Sequence, residues 1–363
     1  MIVVVIVFWA SLSALAWTHL GYPASARVLA LMRPRPASRA EATPTVSLVV
    51  AAYNEQGVIE RRIANLRALD YPADQVAIVV SSDGSSDDTA ERVELAGVRV
   101  IRNPRAGKVA AQDTAVRETL SEIVAFSDAN CTWAPDALRK LVRAFADPDV
   151  AYVCGRLNLQ TGDGRNKEGM YWRYELALRA DESRIDSVTG GNGSIYAVRR
   201  EDYVEVDPRF GHDLSFPYLM VQRGKRAVYE PEANAYEKAT PTTEDEFRRK
   251  IRMFEHCWAI VFEGKMLRRL RPLYFVELVS HRHLRYSSGL LHLVLLACSI
   301  ALVGHGTIYA AALGLQLGVL LAALVGVGLP RYYVLITWAT VVALWNYVRR
   351  GVPSTWSPPE GTR

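Results

Sequence analysis

Three acidic islands carry the residues of this chain best suited to chemistry. They are Asp83 in SSDGSSDDT, Asp128 with Asn130 in FSDAN, and Asp213 in GHDLS. Each follows an apolar run or stands near a helix start. A polar residue just past a buried strand sits at the strand's carboxyl end, where open α/β sheets bind ligands. Carboxylates gathered there suit a nucleotide, a divalent cation and a proton acceptor. Any one of them could be a solvated turn residue, but three in this order point to one site.

Around these islands, Ala51-Ala52-Tyr53-Asn54-Glu55 leaves a strand, and its small residues let the backbone approach a flat base. Asp83 can accept the imide N–H of uracil, or close an Asx turn beside Gly84. Gly107-Lys108 stands at a helix start, where free N–H groups and an ammonium favour anions. Asp128 and Asn130, two apart on an extended end, can turn both side chains toward one cation. Hard oxygen ligands of this kind select Mg2+ or Mn2+. Asp213 can take the proton of an acceptor hydroxyl, while His212 beside it reads as structural, with a second base as the alternative. Gly191-Asn192-Gly193-Ser194 offers a pliant backbone near a sugar or acceptor. Tyr171, Trp172, Tyr174 and Glu175 share a helix and read as packing.

The elements that must position these residues follow from apolar periodicity. Residues 46–52 form a near-continuous apolar strand, as in a parallel sheet covered on both faces. A helix over 57–69, a strand over 76–80, a helix over 88–96 capped by Asp87, a strand over 98–101, a helix over 107–120 and a strand over 123–126 follow. Strand and helix alternating four times predict a doubly wound α/β sheet. Beyond Pro135 the pattern predicts a helix over 136–145, an extended run over 150–159 and a helix over 167–184. A strand over 194–198, a helix over 213–223, a strand over 226–229 and a basic amphipathic helix over 244–267 complete it.

Composition sets this domain among membrane segments. Hydrophobic residues are 50% of the 363, yet mean hydropathy is only +0.03, so apolar and charged stretches are segregated. Residues 1–17 are apolar and uncharged, and with 18–20 they reach the ~20 residues a bilayer requires. With no basic n-region and no small-residue cleavage site after them, they read as an uncleaved anchor rather than a signal peptide. Arg27, Arg33, Arg35 and Arg39 come next, so positive-inside bias places the N-terminus outside and the following domain in the cytoplasm. Between about 287 and 348 the only formal charge is Arg331. The net charge of +5 could suggest nucleic acid, but the arginines crowd beside membrane segments, as headgroup contacts do, and no nucleic-acid-binding motif is present. Four cysteines without a CxxC pair read as reduced thiols. The expected organisation is an anchor at 1–22, a basic linker at 23–44, a catalytic domain at 45–270, an interfacial segment at 271–286, spans within 287–348 (near 287–304, 306–329 and 332–348) and a polar tail at 349–363.

The ordered series AAYNE, DGSSDDT, GK, FSDAN, GNGSIYAVRR, HD and RKIRM resembles the membrane-bound branch of glycosyltransferase family 2, related to cellulose, hyaluronan and poly-N-acetylglucosamine synthases. The resemblance covers roughly residues 45–260. It implies a GT-A fold, here a doubly wound mixed sheet flanked by transmembrane helices, with a nucleotide-sugar donor, a divalent metal and inversion at the anomeric carbon. Carried over residue by residue, it implies donor contacts at Ala52, Tyr53, Glu55, Asp83 and Lys108. Asp128 and Asn130 match the metal-binding DxD, with an amide replacing the second carboxylate, so Asp128 is the firmer ligand and Asn130 can instead touch donor sugar or phosphate. Asp213 matches the catalytic base, with His212 where Glu is usual. Gly191, Asn192, Gly193, Arg249 and Arg252 fall at acceptor or diphosphate positions, and Met253 stands where processive relatives carry a tryptophan.

The resemblance implies an integral membrane enzyme of the bacterial plasma membrane with its catalytic domain in the cytoplasm. Its partners would be a nucleotide-sugar donor, a lipid-linked or glycan acceptor, and membrane lipids. Transfer to polyprenyl phosphate, processive polysaccharide synthesis and a catalytically silent glycan-binding scaffold are the alternatives.

Overall fold

The computed structural model describes residues 1–160, 169–239 and 242–355. The first two residues of the expected 167–184 helix and most of the polar tail lie outside them. Two units divide the chain. Residues 1–25, 242–263 and 275–352 form one, and residues 26–241, 264–274 and 353–363 the other.

The N-terminal stretch is helical through α1 (Ile2–Ala16), a π turn at Trp17–Gly21 and α2 (Tyr22–Met32). The second unit is built on one eight-stranded mixed sheet of order β3-β2-β1-β4-β7-β6-β8-β5. Its strands are β1 (Val46–Ala52), β2 (Val76–Asp83), β3 (Arg99–Asn103), β4 (Ile123–Asp128), β5 (Thr132–Trp133), β6 (Val150–Gln160), β7 (Tyr196–Arg199) and β8 (Arg226–Lys238). Helices α3 (Ile59–Arg67), α4 (Thr89–Leu95), α5 (Lys108–Arg117), α6 (Ala137–Arg143), α7 (Met170–Ile185) and α8 (His212–Gln222) belong to the same unit. Strands β1 to β4 are parallel, and β1 is buried along nearly its whole length because apolar clusters cover both faces.

The chain winds outward from β1 through β2 to β3, then returns to place β4 on the other side of β1. That reversal is the switch point at which doubly wound sheets open a ligand crevice. In register, Ala51 lies opposite Asp128 and Ala52 opposite Ser82. Tyr53, Asp83 and Asp128 therefore leave the sheet at the same edge.

The far half of the sheet departs from the sequence-based expectation. Strand β8 runs to Lys238 rather than stopping near Tyr229. Its pairing with β6 jumps from Cys154–Tyr229 to Arg156–Asn234, a bulge that accommodates the exposed Pro231, which cannot donate to a ladder. Buried Glu230 anchors the bulge, accepting from Arg39 at 2.8 Å and from Arg143 at 3.1 Å. All four cysteines are free and buried.

The remaining helices are α9 (Thr243–Glu263), α10 (Pro272–Leu278), α11 (Leu284–Tyr286), α12 (Ser288–Leu302), α13 (Thr307–Leu324) and α14 (Gly328–Arg350), with a second π turn at Val279–His283. Within the first unit, Phe8 and Leu15 of α1 pack with Leu295, Cys298 and Leu302 of α12. Helix α14 lies along α9: Trp258 donates to the Thr340 carbonyl at 3.0 Å, and Glu255 accepts from Asn346 at 2.7 Å and Arg350 at 3.0 Å. Among the described residues, three helices are long and apolar enough to cross a membrane: Ile2–Met32, Ser288–His305 and Thr307–Leu324. Helix α14, the third expected C-terminal span, is not among them, because Arg331, Asn346 and its terminal arginines dilute its apolar residues.

Candidate active site

Asp83, at the end of β2, is buried and spends its carboxylate on the loop before α5. It accepts the Ala106 N–H at 2.7 Å and the Gly107 N–H at 2.9 Å, and it is paired with the Arg105 guanidinium. Two glycines make this closure possible. Gly84 has φ +65° and Gly107 has φ +105°, a region that residues with a Cβ rarely adopt. A Cβ at Gly107 would also lie 2.2 Å from the carbonyl oxygen of Ser354, so the segment after α14 passes directly against this loop. Asp83 thus organises the loop through bonds that the imide reading alone does not anticipate.

The loop after β1 is laced to the loop after β2. Asn54, at φ 53°, accepts the Ser86 N–H at 2.8 Å, and the Glu55 N–H donates to Thr89 at 2.7 Å. Asp87 accepts the Thr89 N–H at 3.0 Å, but the helix starts one residue later than expected, with Asp88 rather than Asp87 at the N-cap. The Arg105 guanidinium lies over the Tyr53 ring, 3.4 Å from its centroid.

Helix α5 begins at Lys108, and the ammonium reaches Asp128 at the end of β4. Burial pulls the Lys108 pKa down, but Asp128, with Asp213 and Glu237 beyond it, outweighs burial and raises it. The ammonium also approaches the Gly193 carbonyl at 3.4 Å. The Ser194 hydroxyl stands between two carboxylates, 3.2 Å from Asp128 Oδ2 and 3.3 Å from Glu237 Oε2. Asn130 donates to Glu237 Oε1 at 3.1 Å. Glu237, absent from the residues expected from sequence, is delivered here by the long arm of β8 beyond its bulge.

These groups fit a divalent cation. Asp128 and Glu237 supply hard anionic oxygens on either side of Ser194, and the amide of Asn130 turns its N–H toward Glu237. Among the described residues no three His, Cys, Asp or Glu side chains form a closed ligand set. A cation held by two carboxylates would keep open positions for phosphate oxygens, as Mg2+ usually does.

Asp213 lies in the first turn of α8, and its carbonyl accepts the Gly191 N–H at 2.6 Å, which ties the GNGS loop to this helix. Asn192 accepts from Ser194 at 3.2 Å and Ile195 at 3.0 Å within the loop and donates to the Gly155 carbonyl of β6 at 2.5 Å. Gly191 is closely packed: an added Cβ would lie 2.0 Å from the Tyr152 hydroxyl. His212 is buried, stacked on Phe216 at 4.2 Å, with Nδ1 2.9 Å from the Tyr196 hydroxyl. Burial, then the nearby Lys108 charge, lowers its pKa to about 3. It is a neutral packing residue that fixes the start of α8, in keeping with the structural reading. Asp113 of α5 lies 3.9 Å from His212 Nε2 and accepts the Tyr203 O–H at 2.6 Å, and burial raises its pKa to about 6.

Arg249 and Arg252 belong to α9 and hence to the other unit. Arg249 pairs with Glu246 at 2.8 Å, and Arg252 is half-buried. Tyr171 and Tyr174 pack at 6.3 Å, and Trp172 donates to the Leu157 carbonyl at 3.2 Å, consistent with their reading as packing residues.

Comparison with known proteins bears on the family and the fold. Residues 47–206 match the model of the family described as glycosyl transferase family 2. The chain is 27% identical over 289 residues to an N-acetylglucosaminyltransferase of Rhizobium meliloti, covering 70% of this chain and 67% of that one. It is 29% identical over 214 residues to a beta-monoglucosyldiacylglycerol synthase of Synechocystis, covering 53% of this chain and 44% of that one. Thus the match reaches less than half the length of the second relative. The fold is similar to that of a mannosyltransferase from Pyrobaculum calidifontis solved with GDP-Man and Mn2+, with a TM-score of 0.75, 23% identity, and coverage of 94% of this chain and 99% of that one. With its carboxylates at the switch point of a GT-A sheet, the chain carries a glycosyl transferase family 2 domain and is a glycosyltransferase.

Proposed function

We propose that the enzyme transfers a sugar from a UDP-linked donor, with inversion, to a lipid-linked or growing glycan acceptor at the inner leaflet of the bacterial plasma membrane. The observation that carries this reading is the convergence of Lys108, Asp128, Ser194, Glu237 and Asp213 at the carboxyl edge of β1 and β4.

Tyr53, Glu55 and Asp83 line the nucleoside side, and Ala52 leaves room for a close approach. Asp128 and Glu237, with Asn130 and Ser194 orienting Glu237, would hold Mg2+ or Mn2+. That cation, when bound, neutralises charge on the departing diphosphate. Lys108, paired with Asp128 in this structure, is within reach of the same phosphates and adds a second positive charge. Asp213 takes the acceptor hydroxyl proton as the acceptor oxygen bonds to the anomeric carbon. The bond from that carbon to the diphosphate oxygen breaks on the opposite face, and nucleoside diphosphate leaves. Gly193 leaves room beside the Lys108 ammonium, while Gly191, packed against Tyr152, holds the loop in place. Arg249 and Arg252, which the family resemblance puts at diphosphate positions, would meet phosphate groups by guanidinium chemistry.

A lipid acceptor is supported by the likeness to a glucosyldiacylglycerol synthase and by the three apolar helices. Short products are expected, because Met253 offers a flexible thioether where a flat aromatic face would hold a growing chain. Purified full-length protein given a panel of nucleotide sugars with Mn2+, scored for nucleoside diphosphate release and for product size, tests the proposal. Release with no donor, or long polymer from excess donor, would overturn it.

A further inference from the structure

Arg62 lies on the face of α3 that also carries Ile59, Ile63 and Leu66, a place that helical periodicity reserves for apolar side chains. It is 1% exposed, and burial pulls its pKa down to about 10, opposed by Cys131 and Asp128, so it stays charged at neutral pH. A buried charge is costly unless it is paired, yet among the described residues its hydrogen-bond partners are uncharged. Its Nη2 donates to the Ser127 hydroxyl at 2.7 Å and its Nη1 to the side-chain oxygen of Asn65, and its guanidinium carbon lies 5.2 Å from the Trp133 ring centroid.

Each of these partners leads to the proposed cation site. Ser127 precedes Asp128 in β4 and donates its O–H to the Asp128 carbonyl at 3.0 Å. Asn65 accepts the Trp133 N–H at 2.9 Å and donates to the Trp133 carbonyl at 3.0 Å, which fixes the far end of the segment 127–133. The Trp133 indole N–H donates to the Ser194 carbonyl at 3.0 Å. In β5, Thr132 and Trp133 pair with Tyr236 and Ala235, which sets the register of Glu237 on β8. We propose that Arg62 is a positioning residue for the cation site: its planar fork ties both ends of 127–133 to α3 and so spaces Asp128 against Ser194 and Glu237. The proposal rests on the reading of Asp128 and Glu237 as cation ligands. A fork is required because acceptors on α3 and β4 must be met at once, whereas lysine offers its charge from a single point.

Two readouts on the full chain test this. Titration of Mn2+ followed by electron paramagnetic resonance should show binding weakened about tenfold in Arg62→Lys, the scale of lost outer-shell support, and less severely in Ser127→Ala. The double variant should bind no more weakly than Arg62→Lys alone, because both changes break the same link. Without metal, hydrogen exchange should quicken in residues 127–133 and 191–196 of either variant and keep the wild-type rate in residues 76–83. Should Arg62→Lys not fold, Ser127→Ala carries the test. Undiminished Mn2+ affinity in either folded variant overturns the proposal, and so does equal quickening across all three segments, which would mean general loosening. Wild type that binds no Mn2+ would instead sink the cation reading on which the proposal depends.

Discussion

Asn130 donates its amide N–H to Glu237 at 3.1 Å, so the residue that replaces the second carboxylate of the DxD holds another carboxylate in position. Glu237→Gln should therefore weaken Mn2+ binding by roughly tenfold or more, on the scale of losses that accompany damaged metal shells. Asn130→Asp should not improve it, because it sets two like charges within hydrogen-bond distance. Titration of free Mn2+ by electron paramagnetic resonance reads both, and full affinity in Glu237→Gln would remove Glu237 from the site.

On the proposed roles, Asp128 and Asp213 divide binding from chemistry. Asp128→Ala should lose Mn2+-dependent UDP binding and turnover together, whereas Asp213→Asn should retain UDP affinity while kcat falls roughly 10²-fold or more. Equal loss of UDP affinity in both variants contradicts this division.

Asp113 and His212 set opposite pH trends in stability. Asp113, raised by burial to about 6 from 3.8, binds its proton more readily in the folded state. It therefore weighs against folding at neutral pH and does so less as pH falls through about 6 toward 4. Asp113→Asn, which can still accept from Tyr203, should raise stability at pH 8 by on the order of 1–3 kcal/mol, with the gain fading below pH 6. His212, lowered to about 3 from 6.5, loses stability as pH falls from 6.5 toward 3 and should add no limb to an activity profile above pH 5. Thermal melts of both forms across pH check the first point, and a pH-rate profile of His212→Gln checks the second.

Ser354 lies against Gly107, on the loop that Asp83 organises. The segment after α14 should therefore share the cytoplasmic side with the donor site, which agrees with two membrane crossings after residue 287 rather than three. In a cysteine-free background, Ser354→Cys should resist an impermeant thiol reagent in intact cells and react after permeabilisation. Ready labelling in intact cells would refute this.

The half of the sheet that builds the nucleotide edge was legible because parallel buried strands are continuous apolar runs. Ile123 to Phe126, for instance, admits little but a core strand, and Asp128 follows from it. Glu237 was hidden for a physical reason. Pro231 and the charged residues around it end the apolar signal of β8, and only pairing with β6 across a bulge carries the strand onward. Arg105 was equally silent, since a lone arginine in a loop says nothing of the ring beneath it. His212 could be weighed but not placed, because its neighbours Tyr196, Tyr203 and Phe216 come from separate elements.

Gly107 gives its N–H to Asp83, and the next residue, Lys108, gives its charge to Asp128. One peptide unit thus joins the part of the crevice proposed to meet the base to the part proposed to meet the cation. Occupying either end bears on the other, and such coupling is reciprocal: whatever factor the ion adds to nucleotide affinity, the nucleotide adds to ion affinity. On the proposed sites, the enzyme's demand for donor would be set in part by the free divalent ion of its compartment, and a change in metal supply would register as a change in apparent KM for the sugar nucleotide before it registered in kcat.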